Sequence, residues 1–76
     1  MEKDGYDKEL KAIAARIRQL RIDAGFSSQD AFADTHGFQR KQIWRIEAGH
    51  NLNMTTLLRL AEIHGITIQE FFAGVK

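Results

Sequence analysis

Residues 28–49, SQDAFADTHGFQRKQIWRIEAG, put the tightest limit on what this chain can fold into. Two short runs with helical spacing flank one glycine, Gly37, and the segment between them is too short for a loop. Ser28 carries the side-chain oxygen that an N-cap needs, so it starts a helix over Gln29–His36. Gly37 adopts a left-handed backbone at no steric cost, which ends that helix and makes the turn. Phe38 or Gln39 opens the next helix, which runs to about Ala48 with Gly49 behind it. Ala33 is small where the two helices must cross, and Phe38, Ile43 and Ile46 are placed to pin one helix on the other.

The remaining chain keeps the same period. Leu10, Ile13, Ala14, Ile17 and Leu20 follow the i, i+3, i+4, i+7 rule of one buried stripe. A first helix is therefore expected from Asp7, acting as its cap, to about Ala24, with Gly25 as its stop. Residues 1–6 read as a loose polar arm and residues 7–76 as one domain. After a polar loop at 50–53, Asn53 caps a helix over 54–64 that Gly65 ends. Thr67 and Glu70 have the spacing of a capping box, and Ile66 stands where a hydrophobic staple meets Phe71. No stretch alternates as a strand would. The expected fold is all-α: five helices in one compact bundle, with a helix-turn-helix at 28–49.

At 76 residues such a bundle has a small core, and pairing with a second copy would add to its stability. The absence of Cys removes disulfides, thiolate zinc sites and cysteine nucleophiles together. No apolar run approaches the ~20 residues that span a bilayer, and MEKDGYDKEL lacks the apolar stretch of a secretion signal, so a cytoplasmic protein is expected. The net charge of +1 points to no partner, so the distribution of charge has to carry the functional reading. Helix two holds Asp30 and Asp34. The stretch 38–48 holds Arg40, Lys41 and Arg45 against Glu47 alone.

On a wheel of ~100° per residue, Ile43 and Ile46 share the inner face of helix three, with Glu47 at its edge. Lys41, Arg45 and Ala48 fall opposite, and Arg40 sits at the N-terminal tip. Three cations on one helix are by themselves an ordinary solvated face. Held on a helix-turn-helix, they are placed to enter a DNA major groove, where the tip reaches the base edges. Arg paired with guanine is the commonest specific contact, and Lys41 suits either a base or a phosphate. Gln29 stands in the first turn of helix two, whose amides and dipole favour a phosphate. His50 and Asn51 follow helix three and reach the DNA backbone on its far side. His36, His50 and His64 lack the i, i+4 pairing of a metal site, and no metal, cofactor or small-molecule ligand is expected. His36 and His64 each precede a helix-ending Gly, where a partly positive ring suits the dipole. No nucleophile–base pattern suggests an enzyme.

The chain resembles the phage-repressor-like, or Xre-type, helix-turn-helix domains. The matching residues are Ser28-Gln29, Ala33, Gly37, Ile43, Ile46, Glu47 and Gly49, then LLRLAEIHGITIQEFF at 57–72. The resemblance covers roughly residues 10–73. It implies a lambda-repressor-like five-helix bundle that binds operator DNA as a symmetric dimer to regulate transcription. It implies that Gln29 bonds a phosphate and that Gln39, Arg40, Lys41 and Arg45 face the groove. It also implies a structural ion pair between Arg21 and Glu47. The chain departs from the pattern at His36, which replaces a small apolar residue and implies looser packing. It departs again at Trp44 and in the loop after Gly49, which lacks the usual Pro. Phe71 and Phe72 are adjacent, so one of them, with Val75, is free for dimer contact. The competing expectation is a protein-interaction module, such as an antitoxin with a toxin partner, marked by an apolar patch of Trp44, Phe72 and Val75.

Overall fold

The computed structural model describes residues 5–76. Helix α1 is Asp7–Asp23, α2 Gln29–His36, α3 Arg40–Glu47, α4 Met54–Ile63 and α5 Ile68–Ala73, and there is no strand among the described residues. The caps explain most of these boundaries. Ser28 accepts the amide of Ala31 at 3.1 Å, and Asn53 accepts that of Thr56 at 2.8 Å. Thr67 and Glu70 exchange bonds of 3.0 and 2.8 Å as a full capping box. The start of α1 differs from expectation, because Tyr6 holds the cap position and Asp7 is already helical. Asp7 and Glu9 instead place negative charge in the first turn, where the dipole favours it. Helix α3 is one residue shorter at each end than 39–48. Gln39 keeps an extended backbone as the N-cap, and Ala48 is the C-cap. His64 likewise caps α4 rather than lying inside it.

The core is contiguous. Ile17 of α1, Phe32 and Ala33 of α2, Phe38 of the turn, Ile43 and Ile46 of α3, Leu57 and Leu60 of α4 and Phe71 of α5 all pack in it. Ala33 is completely buried, as a close crossing requires. Gly37 has φ 76°, and the Phe38 amide turns back to the Ala33 carbonyl at 2.9 Å. A side chain at residue 37 would be strained there and would also press on Arg59. The last helix is held from outside. Arg16 donates from Nε to the Phe71 carbonyl and from Nη2 to the Glu70 carbonyl, at 2.9 and 3.0 Å.

Packing around His36 is tight rather than loose. Its ring lies 4.7 Å from that of Phe32 and 5.6 Å from that of Phe26, so the imidazole fills space instead of propping helices apart. His64 stacks on Phe32 at 5.6 Å. Its Nε2 is buried with no hydrogen-bond partner among the described residues. Burial, followed by the charges of His36 and Arg16, lowers the His64 pKa. The positive ring expected at that helix end is therefore disfavoured, because desolvation outweighs the dipole.

Candidate nucleic-acid interface

The inner face of α3 is Ile43 and Ile46, both buried, with the Glu47 side chain turned inward beside them, so Lys41, Trp44 and Arg45 are left facing outward. Gln39, Lys41, Gln42 and Arg45 line one side of an open concavity of about 540 Å³. Asn51, Asn53 and Thr56, from the following loop and the start of α4, line the other side. No carboxylate lines it, and Lys41 and Arg45 are both exposed. This trough offers two cations and several amide and hydroxyl groups, which suits an anionic, hydrogen-bonding ligand.

Arg40 stands apart from that trough. Its guanidinium turns back across the turn to α2, donating from Nε to Asp34 Oδ1 at 3.1 Å and from Nη2 to Asp34 Oδ2 at 2.7 Å. Asp30 Oδ2 lies 3.5 Å from Nη1. Trp44, one helical turn after Arg40 and about half exposed, donates its indole N–H to Asp30 Oδ1 at 2.8 Å. The hydrogen bond from Arg40 holds the Asp34 pKa below the usual carboxylate value, and the same bond raises that of Arg40. Helix α3 thus has two polar sides. One, with Lys41 and Arg45, is open. The other, with Arg40 and Trp44, is occupied by acids of α2.

A buried network holds α3 in place. Arg21 of α1 donates from Nε to Glu47 Oε2 at 2.8 Å and from Nη2 to Oε1 at 3.1 Å. The two side chains are 4% and 2% exposed. Arg21 Nη1 also donates to the Phe26 carbonyl at 2.7 Å, and Gln29 donates its amide to Glu47 Oε1 at 2.9 Å. Gln29 therefore spends one N–H on Glu47, and a second N–H remains on the same nitrogen. Of the residues after α3, Asn51 lines the trough, whereas His50 is exposed outside it.

Sequence reasoning overlooked several participants. Gln42 lines the trough from α3 itself, and Asn53 and Thr56 join it because the chain after α3 folds back beside that helix. Arg59 lies 4.0 Å over the Phe38 ring and donates to the His36 carbonyl at 2.6 Å, clamping the turn between α2 and α3. One signal of this was present in the sequence: Arg59 is the lone cation in the apolar run LLRLAEI. The expected patch of Trp44, Phe72 and Val75 does not form as one surface. Phe72 and Val75 share an apolar hollow of about 330 Å³ with Ile13, while Trp44 belongs to the Asp30 network.

A small helical bundle with a tightly turned helix pair and a cationic trough along the second helix defines a helix-turn-helix domain. A family model described as a helix-turn-helix domain matches residues 14–76. The chain belongs to that family, in keeping with its resemblance to the Xre-type domains, and with it to the class of DNA-binding, transcription-regulating domains. Neither the curated proteins nor the solved structures gave a match. No helix among the described residues is long and apolar enough to cross a membrane.

Proposed function

We propose that the chain is a sequence-specific binder of double-stranded DNA that acts in the cytoplasm as a transcriptional repressor, with α3 in the major groove. The observation that carries this is the carboxylate-free trough in which Gln39, Lys41 and Arg45 converge with Asn51. Gln39, Lys41 and Arg45 read base edges from the trough, and Arg40 reads from the tip of the helix. Gln29, His50 and Asn51 set the register on phosphates. Repression requires only that the domain occupy its operator. Two copies, joined through the hollow at Phe72 and Val75, would meet half-sites ~34–36 Å apart.

Selection of bound sequences from a random duplex pool tests this directly. A single enriched, two-fold symmetric motif is the expected result. Arg45→Ala should weaken binding to that motif and relax preference at one position, at a cost of ~1–3 kcal/mol. Enrichment of no sequence would refute the proposal. The apolar hollow also favours a second reading, in which a protein partner such as a toxin docks there. Gel filtration with and without random duplex DNA separates DNA binding from an interaction module that has lost its DNA site, since only the former predicts a shift caused by DNA alone. An antitoxin would keep that shift and gain one with its toxin.

A further inference from the structure

Asp34, which holds Arg40, has no evident role in stabilising the fold: both partners are exposed. Asp30 and Asp34 are spaced i, i+4 on the exposed side of α2, an arrangement of like charges that disfavours a helix. Arg40 is the first residue of α3, at the positive end of that dipole, and no acid lies in the first turn of α3 to offset it. Asp34, in the C-terminal half of α2, and Arg40 are each misplaced in their own helix, and their pairing across the turn reconciles them, whereas Asp30 sits in the first turn of α2, where the dipole favours it.

The geometry of the pairing is selective. Asp34 takes Nε and Nη2, the side edge of the guanidinium. The N–H groups that remain, on Nη1 and the outer side of Nη2, form the end-on fork that matches two adjacent acceptors. Asp30 lies at ion-pair distance from Nη1 and is itself held by the Trp44 indole. Two carboxylates against one guanidinium leave the cluster net negative, so a phosphate approaching it is repelled while a neutral base edge is not.

We infer that Asp34, backed by Asp30 and Trp44, is a specificity-determining positioning residue. It fixes Arg40 so that only the end-on fork is offered, to the paired O6 and N7 acceptors of guanine, and it withholds Arg40 from indiscriminate phosphate binding. This rests on the DNA-binding reading above. It explains how a chain of net charge +1 can place three cations on one helix and still discriminate among sequences.

The test compares wild type with Asp34→Asn on the duplex selected from the random pool and on random duplex of equal length, over a series of salt concentrations. In the variant, random-duplex affinity should rise and its salt slope steepen by about 0.9, one more phosphate neutralised. The ratio of selected to random affinity should drop about tenfold. An unchanged ratio in a variant of unchanged circular dichroism would overturn the inference while leaving DNA binding intact. Failure of the wild type to select any sequence would overturn both. Independently, a carbon-detected titration of Asp34 without DNA should show a pKa below the usual carboxylate range, and an ordinary value would overturn the clamp by itself.

Discussion

The molecule contains two arginine–carboxylate forks of almost the same geometry and very different surroundings. Arg21 and Glu47 meet at 2.8 and 3.1 Å, Arg40 and Asp34 at 2.7 and 3.1 Å. The first pair is 4% and 2% exposed, the second 55% and 55%. In the first, water has been removed and both carboxylate oxygens accept hydrogen bonds, three in all from Arg21 and Gln29, so losing one partner strands a charge in the core. In the second, water competes for both ions and salt screens them, so the pair contributes little to holding the fold. Bond lengths are nearly the same in both, and burial separates a tie that holds the fold from a contact that only orients an exposed side chain.

The largest expected effect breaks the buried fork. Glu47→Ala should cost ~3–5 kcal/mol in urea unfolding, because the Arg21 guanidinium is left without its counter-charge. A loss below 1 kcal/mol would show that the site opens to water. Gln29→Ala removes one hydrogen bond to the buried carboxylate and leaves the ion pair, so a smaller loss of ~1.5–3 kcal/mol is expected by the same measurement.

Acid sharpens the contrast further, since His64 is half-buried and its buried Nε2, unlike the Glu47 carboxylate, lacks a partner. Its folded pKa lies below the ordinary 6.5, so the unfolded chain binds the proton first. The contribution of His64 to stability is complete above pH 6.5 and is lost as pH falls from there through the folded pKa. Thermal unfolding followed from pH 7.5 to pH 5 should show this decline, and His64→Phe should flatten it. At the small end, Asp34→Asn should leave the melting temperature unchanged, because both partners of that fork are exposed. A clear drop in melting temperature would mean that the two forks are alike after all.

Local chemistry made much of the fold legible. Ser28, Asn53 and the Thr67–Glu70 box act within a turn of where they stand, so their caps could be placed without knowing the fold. Gly37 carries the positive φ that its position demanded. The helical period alone sets Ile43 and Ile46 opposite Lys41 and Arg45, and the burial of the two isoleucines follows it. The errors arose where a local rule met a distant group. Dipole logic at His64 overlooked Phe32 stacking on it and taking away its water. The packing expected at His36 overlooked Phe26, which closes over the ring.

The sequence by itself determined the helices, their caps, the tight turn and the side of α3 left for cations, because period and capping act over one or two turns of chain. Tertiary structure alone decided what each cation meets. It turned Arg40 onto Asp34, set Arg59 on Phe38, and gathered Asn51 and Thr56 beside Lys41 and Arg45. Charge and hydrogen bonding depend on distance and on the water excluded between groups, and both are defined only once separate helices have packed.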